Sequence, residues 1–173
     1  MAFLVRKISR SKWPDDKCDV LDLYGDAIAD LKTTGNTLSL WRIETEEDLP
    51  QAVLALSASS KSDSIETLSL VWVSEDLVCE KRIPIDEEKP GDTIVSDLAG
   101  LHRDLYGITY KSLGDVATIL MSEMIDNNRY KRYTRSEVKV ALAKAYVDKR
   151  ISEEKCLPKL LEEIRKAAGK IQG

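Results

Sequence analysis

The residues best suited to chemistry lie in 129–150, where eight basic side chains face two acids, Glu137 and Asp148. Tyr130, Tyr133 and Tyr146 interleave with that charge. Arg129, Lys131, Arg132 and Arg135 supply cations that seek phosphate, and Tyr130 and Tyr133 supply rings that stack on bases. Lys139 carries the charge one turn further. A capped helix follows, and its first amides can themselves accept a phosphate. A basic turn ahead of a short helix is also how a helix-turn-helix unit meets DNA. Three readings stay open for these seven residues. They form a nucleic-acid surface, a docking patch for an acidic protein partner or a second copy, or a solvated helical face with the tyrosines packed beneath.

His102-Arg103-Asp104-Leu105 spells the opening of a protein-kinase catalytic loop. That loop needs Asn five residues after its Asp to hold magnesium. Thr109 stands there instead, and the chain has no Gly-rich loop, Val-Ala-Ile-Lys or Asp-Phe-Gly. The expectation is therefore a polar helical face, with Arg103 and Asp104 solvated and Leu105 buried. His102 is the only histidine, which removes most zinc sites and suits a hydrogen-bonded structural role.

Two acidic runs, 44–48 and 86–88, lack the spacing of a calcium loop and read as a solvated helix start and a solvated loop. Asp63 upstream of Glu80-Lys81 makes a weak nuclease-like combination that arises often by chance. No nucleophile elbow, phosphate loop or dinucleotide fingerprint is present. No catalytic residue, metal ligand or cofactor is assigned.

These residues must be positioned by a chain of 173 residues, 43% of them hydrophobic, which suffices for a core without disulfide or metal staples. Cys18, Cys79 and Cys156 lie far apart with no CxxC pair, which fits a reducing cytosol. Phe3-Leu4-Val5 is too short for a secretory signal, and no apolar run nears the roughly 20 residues of a membrane helix. A cytoplasmic protein with no membrane contact is expected. The charge is divided. Residues 1–110 hold 12 basic and 21 acidic side chains, net −9, and residues 111–173 hold 14 and 9, net +5. Either two faces of one fold balance each other, or the two ends meet different partners.

The clearest strand is 67–73, Thr-Leu-Ser-Leu-Val-Trp-Val, and 37–43 writes nearly the same pattern. Residues 2–8 give a third strand. Residues 77–85 read as a fourth, paired with 67–73 as a hairpin across Ser74-Glu75-Asp76, with Pro84 placing its end at an edge. Trp13-Pro14-Asp15-Asp16 is a turn. Apolar residues 21, 24, 28 and 31 mark a helix, and residues 49–58 mark another with Pro50 in its first turn.

After a boundary at 86–91, Ile94, Leu98, Leu101 and Leu105 recur at helical steps. Leu113, Val116, Ile119, Leu120 and Met124 line a helix that ends at Asn127-Asn128. Thr134 and Glu137 form a capping box for a helix running to about Val147. Pro158 kinks or begins the last helix, whose docking face is Leu160, Leu161, Ile164 and Ala168.

The expected fold is α+β or α/β. A small three- to four-stranded sheet with two helices fills 1–88, and a helical part fills 89–173, packed on it or forming a subdomain. The function these features suit best is a non-catalytic subunit or adaptor of a larger bacterial assembly, such as a nucleic-acid-processing or anti-phage defence complex. Its partner is a protein or a second copy. The alternatives are a stand-alone nucleic-acid-binding protein acting through 129–150 and a metal-dependent hydrolase with Asp or Glu ligands.

Overall fold

A computed structural model describes residues 2–14 and 23–172 of the chain. Cys18 and Leu21, like Asp15 and Asp16 of the expected turn, lie outside these residues. The fold is mixed α+β around a six-stranded, wholly antiparallel sheet. Its strands are β1 (Phe3–Lys7), β2 (Leu38–Ile43), β3 (Leu68–Ser74), β4 (Ile85–Asp86), β5 (His102–Leu105) and β6 (Tyr130–Tyr133). Their order across the sheet is β4-β5-β2-β1-β3-β6.

Helices cover both faces: α1 (Gly25–Asp30), α2 (Leu49–Ser57), α3 (Glu75–Glu80), α4 (Tyr110–Ile125), α5 (Arg135–Val147) and α6 (Pro158–Gln172). Successive strand residues point to opposite faces. Phe3, Val5, Trp41, Ile43, Leu68, Leu70 and Trp72 therefore pack under α2, α5 and α6. Leu4, Leu38, Leu40, Val71, Val73 and Leu105 pack under α1, α3 and α4. Strands covered on both sides read as near-continuous apolar runs, which is why 67–73 stands out in the sequence. Among the described residues no helix is long and apolar enough to cross a membrane.

The sheet has six strands, not three or four. The additional ones are short and polar, His-Arg-Asp-Leu in β5 and Tyr-Lys-Arg-Tyr in β6, so neither shows the alternation that marks a strand. Residues 77–85 do not form the expected hairpin strand. Glu75 and Asp76 occupy the first turn of α3, where their charge favours the helix dipole, and only Ile85–Asp86 after Pro84 joins the sheet. Likewise, 102–105 is not a helical face. A short 3-10 turn at Ser96–Leu101 ends at His102, and β5 fills the side of β2 left open by β1. Tertiary pairing overrides the local helical spacing there.

The expected cap holds: Thr134 and Glu137 cap α5 reciprocally. Thr109 and Ser112 form a further reciprocal cap, on α4. Pro158 is the first residue of α6.

Candidate functional site

The basic segment is placed on the edge strand β6 and the first turn of α5, so 130–133 is a strand and not a turn. Arg129 is spent inside the molecule. Its Nη1 donates to Glu123 Oε2 at 2.5 Å and its Nε to Glu46 Oε1 at 3.0 Å. Its guanidinium lies 4.8 Å from the centre of the Phe3 ring. Burial would lower its pKa, but the two carboxylates outweigh that and raise it.

Both tyrosines turn inward. The Tyr130 hydroxyl meets Ser69 Oγ at 3.2 Å, and its ring packs on the core beside α4. Tyr133 packs on the opposite core, and burial, with Glu137 nearby, pushes its phenol pKa up. Lys131 sits over the Tyr133 ring at 5.0 Å. Neither ring is therefore presented for a base to stack on. Arg132 is exposed and has no partner among the described residues.

Arg135 and Lys139 converge on Glu163 of α6, at 2.8 and 2.9 Å. Burial raises the Glu163 pKa, while Lys139, the Ile65 amide and Arg135 together bring it below the ordinary glutamate value. This cluster ties α5 to α6 and marks the mouth of a groove of about 700 Å³ between them. The two helices approach closely because small side chains meet there, at Ala143, Ala167 and Ala168. Val140 and Ile171 line the groove and remain 47% and 45% exposed. Lys139, Lys159, Lys166 and Lys170 border it against two acids, Glu162 and Glu163. A chain of net charge −4 thus carries a locally positive groove with an aliphatic floor.

A second polar cluster escaped the sequence reading. His102, Arg103 and Asp104 are buried on β5, where a solvated face was expected. Ser39 Oγ on β2 donates to Asp104 Oδ1 at 2.7 Å, and His102 Nε2 lies 3.5 Å from the same oxygen. Lys89 Nζ approaches Asp104 Oδ2 at 3.8 Å. The His102 Nδ1–H donates to the Lys89 carbonyl at 2.9 Å. Serine, aspartate and histidine are together, but the carboxylate is the hub. A nucleophilic triad needs the imidazole between serine and acid, so this arrangement satisfies buried groups without activating the hydroxyl. The one signal in the sequence was the polar triplet itself, flanked by leucines at 101 and 105.

The first acidic run is used within the fold, while in the second Glu87 approaches Arg103 Nη2 at 3.7 Å and Glu88 stays exposed. Glu44 pairs with Arg42, Glu46 with Arg129, and Asp48 caps Thr45. Asp63 lies 3.7 Å from Lys159, while Glu80 and its neighbour Lys81 sit at the end of α3. Among the described residues no three His, Cys, Asp or Glu side chains gather as metal ligands. No protein-family model, curated protein or solved structure matches the chain.

Proposed function

We propose that this chain is a non-catalytic docking subunit that holds an acidic, amphipathic helix of a partner protein in the groove between α5 and α6. The observation that carries the reading is the half-exposed pair Val140 and Ile171 inside a border of lysines. An amphipathic helix lays its apolar face into such a groove, and its flanking acids meet the lysines. Exposed ion pairs give about 1 kcal/mol or less each, so the aliphatic floor supplies most of the affinity and the charge supplies selectivity.

Phosphate binding alone needs no aliphatic floor. The inward turn of Tyr130 and Tyr133 also takes away the stacking that single-stranded nucleic acid uses.

A photoreactive residue at position 140, in the full chain expressed in its native cell, tests this. The expected result is a nuclease-resistant crosslink to one protein, mapped to a helix flanked by Asp or Glu, and lost when Ile171→Glu is added across the groove. A crosslink to nucleic acid, or to a basic segment, overturns it.

One observation favours nucleic acid as the second reading: Arg132 is exposed and has no partner among the described residues, beside Lys131 on the rim of the sheet. That reading requires Lys131→Ala with Arg132→Ala to flatten the salt dependence of binding to any sequence. An unchanged slope removes it.

A further inference from the structure

Among the described residues the two outermost strands of the sheet have no further strand beside them, and they carry opposite charge. β6 is one outermost strand and β4 the other. Antiparallel ladders alternate between bonded and unbonded pairs. Trp72 N–H donates to the Arg129 carbonyl at 3.3 Å, so Lys131 and Tyr133 turn their backbone groups to β3, and Tyr130 and Arg132 turn theirs outward. At the far edge Tyr106 N–H donates to the Pro84 carbonyl at 3.1 Å. Asp86 therefore faces β5 and Ile85 faces outward. The outward-facing backbone is that of Tyr130 and Arg132 on β6 and of Ile85 on the two-residue β4.

The side chains differ in sign. Lys131 and Arg132 stand exposed on β6. Asp86, Glu87 and Glu88 stand on and just beyond β4, with Ile85 and a 47%-exposed Tyr106 beside them around a depression of about 640 Å³. Short, charged edges discourage pairing between like edges, since basic meets basic and acidic meets acidic. The same charges attract when one copy's β6 meets another copy's β4.

We infer that copies of this chain associate head to tail, β6 of one against β4 of the next, so that one sheet continues into its neighbour. The interface is heterologous, and its repetition closes a ring or extends a filament. One outward-facing residue on β4 and two on β6 make the contact short, so association is weak, rises with concentration and is screened by salt.

Sedimentation of the full chain reads this directly. At ionic strength of about 0.02 M the average mass is expected to rise at least twofold above 19.4 kDa with concentration, and to return to the monomer at about 0.5 M. K131E/R132E makes both edges acidic, and E87K/E88K makes both basic. Each variant alone is expected to stay monomeric, and an equimolar mixture to associate. A wild-type chain that stays at 19.4 kDa at every concentration in low salt overturns the inference. So does association that ignores salt and charge reversal, or a mixture of folded variants that stays monomeric. If circular dichroism shows a variant unfolded, the salt and concentration response of the wild type decides alone.

Discussion

Arg129 and Glu123 form an ion pair in which the acid is almost wholly enclosed: Glu123 is 2% exposed and takes Arg129 Nη1 at 2.5 Å. Glu123 also accepts from Asn127 Nδ2 at 3.1 Å. Removing one partner of a buried pair leaves the other charged without compensation. Arg129→Ala is therefore expected to destabilise the fold by about 3 kcal/mol, a fall of about 6–12 °C in Tm for a chain of this size. Adding Glu123→Gln removes the stranded charge and is expected to recover part of the loss. Thermal unfolding of the two variants checks this, and equal Tm values would show that the carboxylate is not desolvated.

Gly91 has no room for a methyl group. A Cβ there would lie 2.7 Å from Trp41 Cζ2 and 2.8 Å from His102 Cβ, well inside van der Waals contact. The obstacles are an enclosed ring and a strand residue, neither free to swing away. Gly91→Ala is expected to cost about 1–3 kcal/mol, the usual range for an overpacked core. Denaturant unfolding measures it, and an unchanged midpoint would mean that the 86–95 segment moves aside without resistance.

The Glu163 pKa lies below the ordinary glutamate value, so its contribution to stability has a fixed sign with pH. The folded state binds the proton less readily than the unfolded state. Stability from this group is full above about pH 4.5 and is lost as pH falls through its lower folded value. Glu163→Gln is expected to be less stable than wild type at pH 7 by about 1 kcal/mol, and the gap to close as pH falls through the lowered Glu163 pKa. A gap that persists in acid would assign the effect to packing between α5 and α6 and not to the charges of Lys139 and Arg135.

What the sequence shows of this fold follows burial. Strands β1, β2 and β3 and the helices α2, α4, α5 and α6 announce themselves because an apolar pattern or a cap such as Thr134-Glu137 is local. β5 does not, since His102 and Asp104 are buried polar residues whose partners, Ser39 and Lys89, come from other segments, and β6 does not, since Tyr-Lys-Arg-Tyr lacks an apolar alternation. The same limit applies to the basic segment. Composition marks Arg129 and Arg132 alike as cations, yet Glu123 and Glu46 consume the first and leave the second in solvent. The groove between α5 and α6 was not legible: Leu160, Ile164 and Ala168 of the expected docking face pack inside the protein, and Val140 gains meaning only from Ile171 across the gap.

His102 tethers a loop more than it supports the core. Its Nδ1–H holds the Lys89 carbonyl, and its ring meets Trp41 edge-on with centroids 5.5 Å apart. His102→Phe keeps an aromatic ring of similar size and removes the donor, so the Lys89 carbonyl loses its tie to β5. The nearby anchors remain: Gly91 N–H on the Ala99 carbonyl at 2.9 Å and Ile94 N–H on the Ala58 carbonyl at 3.2 Å. Losing one hydrogen bond of about 1 kcal/mol speeds local opening about fivefold. Hydrogen exchange in His102→Phe is therefore expected to quicken by about that factor at Gly91 and its neighbours, while amides of β3 and α4 change little. A uniform rise across β3 and α4 would show that the imidazole acts on global stability, and the tether would fall.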